Sequence, residues 1–144
     1  MRKTLPGALA LVIVIALALV GCGATSPLVT IGVDALTADP QAFTGELAVE
    51  GVVQYVDAST STIRIIDVAE YEACGLTPCV SAGVLPLYLP TAGEPAPSGA
   101  QYEGQLPALE EVVVVVGEVR SGQGGLFFDV ERVQRGSQTL ISKR

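Results

Sequence analysis

The sequence predicts an all-β domain, a small barrel of five strands. Three observations lead there. Short runs of β-branched and apolar residues recur along the chain with turn residues between them. Two of the longer runs carry a glycine in mid-run, Gly51 and Gly117, as strands do where they bend or bulge. Beyond the N-terminal segment, no apolar pattern of helical period runs for long.

The N-terminal segment is of a different kind. Met1-Arg2-Lys3 is basic, and Leu5 to Val20 is uncharged and almost wholly apolar before Gly21-Cys22. A basic start, an apolar core and a small-residue cleavage point are the parts of a secretory signal. Roughly 16 apolar residues at 1.5 Å each reach about 24 Å, short of the ~30 Å hydrocarbon core of a bilayer. Leu19-Val20-Gly21-Cys22 resembles a lipobox, the motif of bacterial lipoproteins. That resemblance implies cleavage before Cys22, diacylglycerol on its thiol and commonly a further acyl chain such as palmitate on its amino group. It also implies a chain held by membrane lipid on the extracytoplasmic side of the cell membrane or outer membrane. Two or three acyl chains anchor stably where one does so marginally.

Within this reading, residues 1–21 are the signal peptide, 22–29 a lipidated tether, 30–135 the barrel and 136–144 a C-terminal tail. Removing residues 1–21 from the 144-residue chain leaves 123, enough for one domain with its own core. Arg2 and Lys3 leave with the signal, so the formal charge moves from −7 to about −9. Such a domain repels phosphate backbones, which argues against a nucleic-acid partner and leaves an envelope protein as the expected one. The chain contains no His. It therefore lacks the commonest general base and metal ligand, and Ser-His-Asp and Cys-His catalysis are excluded. Neither an enzyme nor a cofactor is expected.

Thr30 to Val33 reads as a short strand or an extended lead-in, and Asp34 as the cap of a brief helical turn through Phe43, with Pro40 preventing a long helix. Glu46–Val56 is the first strand, with Leu47, Val49, Val53 and Val56 facing inward. Asp57–Ser61 is a turn cluster, and Thr62–Val68 completes a hairpin. Val84–Leu89, Glu111–Val119 and Leu126–Val133 are the remaining strands, the last two joined by the Gly-rich turn Ser121–Gly125. That turn is no phosphate loop, because it lacks the following Lys-Ser/Thr and the helix. Phe128, Val130 and Val133 are core candidates. Pro90–Pro107 has no apolar period and reads as an exposed loop. With Ala69–Gly83 it forms the expected contact surface.

A hairpin, a strand, a long connection and a second hairpin make the order of an OB-fold, and closure would remove the exposed edges. The residues that follow this order are similar to bacterial envelope OB-fold proteins. The similarity is carried by Asp34–Gly45 (DALTADPQAFTG), Glu46–Gly51, Thr62–Asp67 and the later Val114–Glu118 and Leu126–Glu131. A more distant likeness is to the periplasmic heme chaperone of cytochrome c maturation. That family binds heme through a His, so its chemistry has no residue to fall on here.

With Cys22 assigned to lipid, Cys74 and Cys79 remain as a pair in Cys74-Gly-Leu-Thr-Pro-Cys79. In an exported domain they read first as a disulfide. The second reading is a thiophilic metal site, with Asp67, Glu70 or Glu72 completing the shell, or a redox-active pair. The chain would then be a metal- or redox-handling accessory factor instead of a non-catalytic binding or structural module. Glu46/Glu50, Glu70/Glu72 and Glu110/Glu111 read as solvated surface carboxylates. Arg132, Arg135, Lys143 and Arg144 read as a basic tail in solvent, or in contact with anionic lipid.

Overall fold

The computed structural model describes residues 28–77 and 83–144. The signal segment, Cys22 and Cys79 lie outside them. The described chain is mostly β, an antiparallel sheet curled into a half-barrel. Its elements are β1 (Thr30–Gly32), α1 (Val33–Ala38), a 3-10 turn (Pro40–Ala42), β2 (Leu47–Asp57), β3 (Thr62–Ile66), α2 (Val68–Cys74), β4 (Val84–Tyr88), β5 (Tyr102–Gly104), β6 (Val112–Gly122), β7 (Gly125–Arg135) and β8 (Gln138–Lys143). The sheet order is β4-β3-β2-β6-β7-β8-β5, and β1 lies parallel on β2.

The five expected strands are β2, β3, β4, β6 and β7, but the sheet has eight. Each addition has a local reason. β8 uses residues expected as a tail: Gly136, at φ 57°, turns the chain so that Ile141 pairs with Val133. β5 is only three residues long, too short to show a period, and pairs with β8. β1 is the lead-in, held on β2 by three residue pairs.

Two further expectations are corrected. Ala69–Gly83 is not all loop, because α2 fills its first half. Asp67 caps α2 through its carboxylate and the Ala69 N–H (3.0 Å), Glu70 sits in the first turn, and Gly75 N–H closes the end on the Tyr71 carbonyl. That is a complete helix signal, acid cap to terminal glycine. In α1 the cap is Gly32, and Asp34 lies in the first turn, where its Oδ1 accepts the Gly83 N–H at 3.0 Å.

The core lies inside the curl. Leu47, Val49 and Val53 of β2 are buried there as expected, facing Ile63, Ile65, Val115, Val130 and Val133, while Val56 and Phe128 are partly buried against it. The predicted turn at Asp57 is an Asx turn, its Oδ1 accepting the Ser59 and Thr60 N–H groups. Gly117 sits at the register shift between β6 and β7, and a Cβ there would run into the Asp129 carbonyl. The shift in β2 falls at Gln54, three residues beyond Gly51. Gly51 instead permits close approach, since a Cβ there would stand 2.8 Å from the Ile66 carbonyl oxygen.

Candidate functional site

Among the described residues β4 is the end strand of the path, and one of its edges is unpaired. Leu89 N–H donates to the Ser61 carbonyl (2.8 Å), and the β3–β4 register continues from that pair. Backbone groups alternate sides along a strand. Leu85 and Leu87 therefore point their backbone groups at β3, and Val84, Pro86 and Tyr88 point theirs outward. Proline stands at the middle of that outward row, where it offers no N–H. Pro86 blunts the edge that would otherwise recruit another strand.

The strand across the opening is β7. Its C-terminal part pairs with β8 from Arg132 onward, and the residues before Arg132 pair, among the described residues, only with β6. The Val130 carbonyl on this stretch is taken by a side chain, the Tyr102 hydroxyl, which donates to it at 3.0 Å. Tyr102 is fully buried. Burial, with the negative charges of Asp129 and Glu131, pushes its phenol up to about 12. It is thus a neutral donor throughout the physiological range.

The open seam between β4 and β7 holds two cavities. One, of about 220 Å³, is lined by Leu36, Thr37, Pro40, Leu85, Val119, Leu126, Phe127 and Phe128. The other, of about 240 Å³, is lined by Pro86, Leu87, Tyr88, Ala96, Pro97, Tyr102, Phe127 and Phe128 among others. Phe127 and Phe128 are neighbours on a strand, so their side chains leave opposite faces. Both line both cavities, which therefore wrap over the free edge of β7. The walls are apolar and aromatic, the chemistry of a small-ligand or peptide groove. The Asp34–Gly83 hydrogen bond fixes α1, one wall, to the start of β4.

Pro90–Pro107, expected as an exposed loop, is exposed only in part. Its outer residues face solvent, but Ala96, Ala100 and Tyr102 are buried in the core, and the segment roofs part of the seam. The four C-terminal cations are not a free basic tail either. Arg132 lies 3.8 Å from Glu46, Arg144 lies 3.7 Å from Glu103, and Arg135 pairs with Glu111. The Ala108 N–H, together with Arg135, holds the Glu111 carboxyl below its ordinary range. Lys143 reaches both oxygens of Asp129 at 3.1 Å, and Arg120 reaches one at 3.0 Å. The Asp129 side chain is only 2 % exposed, so one buried carboxylate ties β6, β7 and β8 together.

Of the cysteines, Cys74 ends α2 and its sulfur is not a free thiol. Cys22 and Cys79 lie outside the described residues. Asp67, weighed as a metal ligand, is already engaged as the α2 cap, its other oxygen 3.4 Å from the Asp34 nitrogen. Among the described residues no three His, Cys, Asp or Glu side chains gather as a metal site requires. No protein-family model matches the chain, and neither a curated protein nor a solved structure is similar to it.

Proposed function

We propose that this chain is an exported lipoprotein, anchored by lipid on Cys22, whose half-barrel is a non-catalytic binding module of the cell envelope. The observation that carries the binding part is the apolar seam, where two unpaired strand edges and two adjacent phenylalanines surround open space. The anchor rests on the basic start, the apolar run and Leu19-Val20-Gly21-Cys22. We read the sheet as an OB-like meander in which the third and fifth core strands, β4 and β7, have stayed apart. Binding at an OB surface falls to strand faces and connecting loops, and this seam supplies both.

We further take Cys74 and Cys79 as a disulfide that closes the turn after α2. Gly75, at φ 70°, already reverses the chain directly after Cys74. A metal- or redox-handling role for the pair is the competing reading. Elemental analysis of purified protein with and without Cys79→Ser separates the two. Stoichiometric metal that is lost in the variant would replace the disulfide.

The anchor is tested by growing cells with labelled palmitate. The wild-type chain is expected to carry the label and fractionate with membranes, and Cys22→Ser to lose both. Label retained in Cys22→Ser would end the lipoprotein reading. The groove is tested by titrating the protein with 1-anilinonaphthalene-8-sulfonate. Phe127→Ala is expected to weaken binding several-fold, and unchanged binding would move the site elsewhere.

A further inference from the structure

The segment from Pro90 to Gln101 has the construction of a lid. Its ends are pinched together by Tyr102 N–H donating to the Pro90 carbonyl at 2.9 Å, so the residues between form a compact Ω-type loop. Inside it, Ala96 N–H donates to the Ala100 carbonyl, Gly99 N–H to the Ala96 carbonyl, and Gln101 Nε2 to the Gly93 carbonyl. Gly93 (φ 82°) and Gly99 (φ 80°) supply the left-handed turns that glycine alone adopts without strain. The loop is thus a body held by its own hydrogen bonds.

Few bonds tie it to its surroundings: the Tyr88 hydroxyl of β4 donates to the Glu94 carbonyl at 3.3 Å, and Arg144 N–H donates to the Gln101 carbonyl at 2.9 Å. Ala96 and Ala100 are buried over the core and Pro90 is buried at its stem, while Thr91 to Pro95 are exposed. Pro97 and Ser98 meet the seam wall made by Phe127 and Phe128. At its base stands Tyr102, whose hydroxyl holds the Val130 carbonyl on the free edge of β7. The loop therefore roofs the groove on two alanines and a proline, with the Tyr88 phenol bonded to it from β4 and the Tyr102 phenol joining its C-terminal stem to β7.

We infer that residues 90–101 form a displaceable lid over the β4–β7 seam, with Tyr102 as its latch. Opening exposes Leu87 and frees more of the already accessible Tyr88 and Phe128 to an apolar ligand, and closing returns Ala96 and Ala100 to the core. The lid rests on the binding role proposed for the seam, but it is read by a separate measurement.

Amide hydrogen exchange on the full chain tests it, with 1-anilinonaphthalene-8-sulfonate as the apolar probe. In the wild type the Ala96 and Gly99 amides are expected to exchange at least about 100-fold faster than those of Val49 and Val115, since a lid opens locally. Tyr102→Phe removes one hydrogen bond, so lid amides should accelerate about tenfold with β2 and β6 unchanged. If only the open form admits the probe, its apparent Kd should fall by the same factor. Gln101→Ala, which removes the bond to Gly93, should give a smaller change in the same direction and serves if Tyr102→Phe does not fold. Lid amides that exchange only together with the core overturn the proposal. So does faster lid exchange with probe affinity unchanged. Absence of probe binding in every protein sinks the binding role of the seam itself.

Discussion

The two sides of the half-barrel are held by different means. On one side β2 and β6 pair residue for residue over Leu47–Val52 and Val112–Gly117, and each has a partner on both edges. Their apolar side chains interlock with those of β3 and β7 in the core. On the other side β4 and β7 face one another without a ladder. What joins them is side chains: a tyrosine hydroxyl on one carbonyl, two alanine methyls, and an aromatic pair over open space. Burying paired backbone satisfies both its donors and its acceptors, so the first side is closed and rigid. A seam stitched by side chains leaves a groove, and Pro86 keeps it from closing.

The difference can be broken at several points, with effects of decreasing size. Ile65→Ala, in the fully buried wall of the closed side, is expected to cost about 2–5 kcal/mol in urea unfolding. A truncation at half-buried Phe127 in the seam should cost much less. Equal losses would mean that the seam is packed as tightly as the core. Gly117→Ala forces a methyl against the Asp129 carbonyl and should cost about 1–3 kcal/mol by the same assay.

Asp129→Asn comes next. It leaves Lys143 and Arg120 facing a neutral amide, and because both cations are partly exposed the loss should be about 1–2 kcal/mol. Adding Lys143→Gln should recover part of it. No recovery would show that the carboxylate acts through other partners.

The remaining effect is one of pH. Tyr102 has its folded pKa raised to about 12 from the ordinary value near 10, chiefly by burial. The folded state then binds the phenolic proton more tightly than the unfolded state. The associated stability is complete below pH 10 and is lost as pH rises toward 12. Tyr102→Phe should lack that part of the alkaline slope, as urea unfolding from about pH 9 to about 11.5 would show. An identical slope in the variant would place the titration elsewhere.

What the sequence revealed divides along the same line. The closed side was legible, because β2, β6 and β7 are long runs of β-branched and apolar residues; Leu47, Val49 and Val53 stand buried where alternation puts them, and Val130 and Val133 on either side of the register shift at Glu131. The seam was not. β5 is three residues long, and the lid buries two alanines and a proline, which carry no apolar period. The open edge of β4 depends on which way the backbone of Pro86 faces, and that follows from register with β3 and not from composition. Two misses did leave a signal. Asp67-Val-Ala-Glu70 before Tyr71 and Gly75 is a capped helix, and Gly136-Ser137 between Val133 and Ile141 marks a hairpin. The ion pairs that hold Arg132, Arg135, Lys143 and Arg144 join residues far apart in the chain, which no local pattern records.

The central claim is that this module binds at the seam. It is tested most directly by amide chemical shifts of the ¹⁵N-labelled protein as 1-anilinonaphthalene-8-sulfonate is added. The account expects saturable shifts at Leu85, Leu87, Val119, Phe127 and Phe128 and in the 90–101 lid, with Val49 and Val115 unmoved. Shifts centred on the Glu46–Arg132 face, or none at any concentration, would contradict it.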